Sequence, residues 1–321
     1  MRLNRRLNLP ALIGCLGKGV LTVLVLFVFL VYSPVLVHAA KLCTATSKDM
    51  LKSCKSGVQG DYSLAIAKCD NLPSSESKAC KQQAKTDMKA GNDGCKAQYD
   101  ARQAICKDLG EGIYNPVINP NDFVKKIDNP LFPLTPGTTL IYEGMTEKGN
   151  EHVEVKVTHS TKVILGVTCV EVRDTVKVDG VLAEYTLDWY AQDKDGNVWY
   201  FGENAVEFDA NGEVIGFGGS WEAGVNGAKP GIIMEAHPQG GDIYRQEFAL
   251  GAAEDMAEVL STYESITVHS VTYNLCLKTK EFSALEPDVV ENKFYAPSVG
   301  NIQTVDVATG KHLDLVQIKT E

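Results

Sequence analysis

The rhythm of apolar and polar residues changes twice along the chain. Residues 20–37, VLTVLVLFVFLVYSPVLV, are apolar and carry no charge. From 41 to 110 large apolar side chains are sparse, and Ala, Lys, Gln, Asp and Ser prevail. ESKACKQQAKTDMKA and CKAQYDARQAICKDL consist of good helix formers and predict two helices, with GNDG at 91–94 as a turn between them. DNLPSSES at 70–77 predicts another turn. NPVINPNDFVKKIDNPLFPLTPG then packs five prolines into 23 residues, which forbids regular helix and predicts an extended linker.

Beyond 138 the period drops to two. Val153, Val155 and Val157 alternate in HVEVKVT, as do Val170, Val172, Val176 and Val178 in VEVRDTVKV. DG at 179–180, DKDGN at 193–197 and ANG at 210–212 mark turns between such runs. About eleven to thirteen strands in hairpin succession predict a mainly β fold, an antiparallel meander curled into a half-barrel or barrel. The implied domains are a signal peptide at 1–39, a Cys-rich helical module at 40–110, a Pro-rich linker at 111–137 and a β domain at 138–321.

The ends and the charge narrow the setting. Arg2, Arg5, Arg6 and Lys18 precede or open the apolar run, and small residues end it, so cleavage after Ala39 and export to a periplasmic or extracellular space are expected. An uncleaved anchor is the alternative and the one expected membrane contact. LIGC at 12–15 has the residue types of a lipoprotein box but precedes the apolar run, so Cys15 reads as incidental. The whole chain carries a formal charge of −10; residues 40–110 are net +4 and 111–321 net −18. An acidic body argues against nucleic acid, whose phosphates need clustered Lys and Arg.

Export gives the cysteines a purpose. Cys43/Cys54, Cys69/Cys80 and Cys95/Cys106 repeat one spacing, each pair beginning 26 residues after the last. Helices this polar cannot hold together by burial, so disulfide staples within the module are expected. Cys95 and Cys106 lie about 16 Å apart on a continuous helix and must each reach another segment. Cys69 and Cys80 flank a turn and can meet; the full pairing stays open. Cys169 has the parity of Glu171 and Arg173, and Cys276 that of Asn274 and Lys278. Both are therefore expected on the polar face, joined in a fourth bridge.

NPLFPLTPGTTLIYEG, DWYAQDKDGNVWYFGE, GSWEAGVNGAKPGIIMEAHPQGGDIYRQE and LEPDVVENKFYAPSVG resemble a widespread family of bacterial exported β-rich proteins, over about residues 112–310. Ser298 stands where related sequences carry a glycine turn. More distantly, the strand pattern is similar to periplasmic lipoprotein carriers, which implies a curved sheet able to hold acyl chains.

Chemical signatures are few. Asp193, Asp195 and Asn197 alternate as calcium ligands would, but a hairpin turn explains them equally and no glutamate follows at EF-hand spacing. There is no G-x-S-x-G and no H-E-x-x-H, and neither metal nor cofactor is expected. Asp188 with Glu222 could form a glycosidase pair, a weak reading in so acidic a chain. Trp189, Trp199 and Trp221 are core residues or an aromatic wall; as a wall, with Glu222 and His237 on the glycine-rich loop 216–241, they form the candidate ligand site. The function expected is an exported, non-enzymatic binder of a small apolar or amphipathic ligand or of a protein partner. The alternative is a cofactor-free hydrolase or isomerase in the barrel mouth.

Overall fold

A computed structural model describes residues 41–321. The expected signal peptide and Cys15 lie outside the described residues.

Two helices form the N-terminal hairpin, α1 (Leu42–Asp70) and α2 (Ser74–Leu109). Three disulfides rung it: Cys43–Cys106, Cys54–Cys95 and Cys69–Cys80. The pairs nest about the turn at Asn71–Pro73, as antiparallel helices require when cysteines recur at matched heights. The turn expected at GNDG is absent, because α2 runs straight through it. Gly91 is used instead for close approach, since a Cβ there would stand 2.9 Å from Val58 of α1. Neighbouring Asn92 donates back to the Met88 carbonyl within the helix.

The remaining chain builds one 16-stranded sheet. After the two-residue β1 (Phe123–Val124) come five long hairpin strands. They are β2 (Thr138–Met145), β3 (Asn150–Ile164), β4 (Val167–Val178), β5 (Val181–Asp193) and β6 (Val198–Phe208). Five short strands follow in the glycine-rich region: β7 (Val214–Gly216), β8 (Trp221–Glu222), β9 (Lys229–Met234), β10 (Ile243–Arg245) and β11 (Glu247–Phe248). The last five are β12 (Asp255–Val268), β13 (Val271–Ser283), β14 (Val290–Ala296), β15 (Gly300–Asp306) and β16 (His312–Thr320).

Consecutive strands pair antiparallel, and β16 returns to β2, so the sheet curls into a nearly closed barrel. Closure depends on one short stretch. Ile243–Arg245 pairs with β12, and two residues later Glu247–Phe248 pairs with β9. Outside this seam, Tyr114 donates to the Pro230 carbonyl at 2.8 Å and packs edge-on to Phe248.

Alternation assigns the two faces. Val172, Asp174 and Val176 on β4 point inward opposite Asp188, Thr186 and Glu184 on β5. Lys156, Arg173, Glu154 and Thr175 point outward, where a membrane-spanning barrel would carry its apolar band. Segment 111–137 is extended, and it packs onto the barrel. Ile127 and Leu134 bridge each other and are buried, and Phe132 meets Tyr190 and Tyr295 inside, plugging one end. Asn129 holds the plug by donating to the carbonyls of Gly196 and Glu235. The helical hairpin docks on the outer wall, with Ile105 against Met256 and Ala284 and a buried Arg102–Glu254 ion pair at 2.8 Å.

The expected Cys169–Cys276 bridge is not formed: both thiols are free and fully buried. β4 and β13 are not neighbours in the sheet, so the residues cannot meet. The polar-face assignment fails for two reasons. Beside Cys169 the outer face is covered, by Trp189, Ala223 and Ala228 of the same buried cluster. Before Cys276 a bulge places Leu275 at φ +57°, 68% exposed, and shifts the parity of the residues after it. Burial pushes the Cys169 thiol up to about 12 and also raises that of Cys276. Alkylation of the native, non-reduced protein should therefore spare both, and denaturation without reductant should expose them. Peptide mapping that finds neither thiol modified after denaturation would restore the bridge.

Candidate ligand site

The residues singled out by sequence separate onto different faces. Trp189 points outward, with the Lys162 ammonium 3.5 Å from its ring centre. Lys162 also pairs with Glu222 at 2.7 Å, so this cluster is a sealed patch of outer wall. Trp199 is half-buried and donates to Asp193 at 2.8 Å. Both Asp193 oxygens also accept from Asn197, so the DKDGN carboxylate is occupied by its own turn. Trp221 faces inward, edge-on to Tyr200 at 5.5 Å. His237 is exposed beyond the end of β9. The five do not converge on one cavity.

The cavity lies inside the barrel. It has a volume of about 760 Å³ and opens at the end opposite the Phe132 plug, among the β2–β3, β13–β14 and β15–β16 turns. Its lining holds eleven acidic side chains against three lysines and one histidine. Lys311 is taken by Glu147 and Lys293 by Glu281, both at 2.8 Å, so most of the carboxylates face the lumen without a cation. A separate hollow on α1, lined by Lys48, Lys52 and Lys55 among others, is a shallow surface dish with no convergent chemistry.

Crowded carboxylates in a low-dielectric wall resist ionisation. Burial, with Asp188 and Glu184 beside it, raises Asp174 to about 8. Burial likewise raises Asp188 to about 8, against the Tyr200 hydrogen bond that favours its anion. Glu203 rises to about 7 for the same reasons. Tyr200 makes the consequence concrete. Its hydroxyl contacts Asp188 and lies 3.0 Å from Glu203. A phenol has one proton to donate, so the second carboxyl can bond to its oxygen only by supplying a proton itself. The arrangement therefore favours retaining a proton in the trio, in line with the raised values of both acids.

Glu247 stands apart. It is 7% exposed, lines the cavity and accepts no hydrogen bond among the described residues. The Trp221 indole N–H lies beside it but outside hydrogen-bond geometry. Glu281 is its opposite: Lys293, Tyr295 at 2.7 Å and Thr279 at 3.0 Å hold it ionised and below the ordinary carboxylate range, despite burial.

Apart from Asp188, named only as half of a weak glycosidase pair, none of these groups was singled out by sequence, although a signal existed. Asp174 occupies the valine parity of β4, and Asp188 sits between Thr186 and Tyr190 on the inward face of β5. An acid on the apolar face of a predicted strand marks either a polar lumen or an error of register.

No family model and no curated protein matches the chain. A chain from Bacteroides fragilis, described as exported and with a YmcC-like fold, superposes with a TM-score of 0.35 at 12% identity, over 59% of this chain and 99% of its own. A chain from Parabacteroides distasonis, described as a lipoprotein, gives 0.32 at 15% identity, over 59% and 98%. Likeness of this degree carries no argument, and the barrel's own geometry has to supply one.

Proposed function

We propose that the protein is an exported, non-enzymatic binding protein that holds a small ligand in the barrel lumen. The observation that carries this reading is the cavity of about 760 Å³ inside the barrel, open at the end opposite the one that Phe132 plugs. That volume lies within the range of small-molecule sites. The three disulfides fit an oxidising compartment and hence export. A plain acyl chain is a poor match for a wall so rich in carboxylates, which favours a ligand with a polar or charged part.

The hydrolase or isomerase reading has one observation in its favour. Asp188 and Glu203 share Tyr200 and, at about 8 and 7, stand where a general acid works. Yet Asp188 is 7% exposed and does not line the cavity, so a bound substrate would not reach it. Binding is the better use of the site.

Filling the lumen tests the reading. Thr304 lines the cavity from β15, whereas Thr175 faces outward on β4. Native mass spectrometry of protein purified without denaturation should find a retained small molecule in wild type and Thr175→Trp, and none in Thr304→Trp. Equal retention in the two variants would move the site out of the lumen.

A further inference from the structure

We propose that the lumen takes a linear polyamine, its ammonium groups seated on carboxylates from Glu203 and Glu247 in the interior to Glu207 at the rim. The inference rests on the lumen being the binding site and adds the chemical class of its ligand.

Three observations converge on an organic cation. The first is the Glu247 carboxyl, more than nine-tenths buried on the cavity wall, with no ion-pair partner among the described residues and only the Trp221 indole beside it. Burial pushes such a group toward its neutral form, and an arriving ammonium would restore the anion. The second is that the wall already accepts an ammonium. The Lys293 amine enters the lumen, pairs with Glu281 at 2.8 Å and lies 3.8 Å from Glu291. The protein thus contains its own example of the proposed contact, with an aliphatic stem leading to a charged head. The third is the distribution of the acids. No three of them gather closely enough to ligate one metal ion among the described residues. They are spread along the strands instead. Glu203 and Glu207 share the inward face of β6, and four residues of strand separate them by about 13 Å. A single point charge would answer one of these groups. A flexible chain carrying an ammonium every few atoms answers several at once.

The remaining lining suits the spacer. Ala205 lies between Glu203 and Glu207 on the same face, and Ala253 is buried nearby on the cavity wall. Methylene segments between ammonium groups would lie against these small apolar side chains. Anionic and neutral ligands meet the reverse situation, since each would leave the carboxylates unanswered or repel them.

Titration calorimetry of the disulfide-bonded protein with spermidine at pH 7.5 tests the class. One spermidine should bind per chain. Glu247→Gln and Glu207→Gln should each weaken it about tenfold, the loss of one charge-assisted hydrogen bond. Glu213→Gln, which removes the same charge from an exposed turn, should leave affinity unchanged. Butylamine, with one ammonium, should bind far more weakly, and equimolar calcium should not displace spermidine. If Glu213→Gln weakens binding as much as Glu247→Gln, the polyamine only coats an acidic surface and the proposal falls. Displacement by calcium overturns it in favour of a metal site. If spermidine does not bind while the Thr304→Trp variant still loses its retained molecule, the class is wrong and the lumen reading stands. Either glutamine variant suffices should the other fail to fold, because they lie on different strands.

Discussion

Glu254→Ala should lower the stability of the protein by about 3–5 kcal/mol, the usual cost of stranding one half of a buried ion pair. Arg102 and Glu254 meet through two hydrogen bonds of 2.8 Å, Nε to Oε2 and Nη2 to Oε1, with side chains 6% and 3% exposed. Glu254 also accepts from the Gly251 amide at 2.8 Å, so its removal leaves a guanidinium and an N–H buried together without an acceptor. The pair joins α2 to the chain just before β12, and the apolar contact around it is small: Ile105, Met256 and Ala284, with Ala101, Ile243 and Phe282 beside them. Urea unfolding followed by helix and sheet signals should show the loss as an earlier, separate transition of the hairpin. The double substitution Arg102→Met with Glu254→Leu should recover most of it, since apolar replacements of similar volume often match a buried pair. A single substitution that costs less than about 1 kcal/mol, the scale of a surface pair, would show that the hairpin docks by other means.

The protein should also lose stability as pH rises from 5 to 8. Asp174 and Asp188 at about 8 and Glu203 at about 7 hold protons in the folded lumen that the unfolded chain has already released. Where the native state binds more protons, stability falls with rising pH. The contribution is fully present below the unfolded values near 4 and is lost as pH passes through 7 to 8. The partly buried Glu235, raised to about 7, adds in the same direction. Glu281, whose acidity is strengthened, acts oppositely, but its change falls below this window. Asp174→Asn tests the sign most directly, because one Asp174 oxygen is buried without a hydrogen bond. At pH 8 the amide should stabilise the protein by on the order of 2–4 kcal/mol, a few pKa units of relieved ionisation. At pH 4.5 it should change little. Melting curves at the two pH values that coincide would mean that lumen water solvates these acids as well as bulk solvent does.

Much of the architecture could be read from residue types. Period-two alternation with Asp-Gly and Asn-Gly turns is a local property, so the hairpin strands and their mainly β class were legible. The matched cysteine spacings likewise implied a stapled helical module. What failed was whatever depended on distant neighbours. GNDG has turn composition, yet α1 lies against Gly91 and the Cys54–Cys95 rung holds the helix through it. The parity of Cys169 was read correctly, but that face was already covered by residues about 54 to 59 positions further on. For Cys276 the bulge at Leu275 defeated the parity count itself. The lumen and its acids were overlooked for a related reason. Aromatic residues draw attention because they are large, and two of the three tryptophans turned out to face away from the hollow. The acids that line it looked ordinary in a chain of net −10, and only closure of the sheet gathers them.

That closure is itself uneven. Most neighbouring strands around the wall share long ladders, although β15–β16 and β6–β9 have three residue pairs each. The last join consists of three pairs to β12 and two to β9, made by one hexapeptide. Gly231 fits beneath it with no room to spare, since a Cβ there would come within 2.3 Å of the Gln246 carbonyl. Mechanically the molecule is a split ring whose clasp is its weakest link, and Glu247 rides on that clasp. A ligand of the proposed class that grips Glu247 from within should therefore hold the clasp in place, so that an occupied barrel opens at the seam less readily than an empty one.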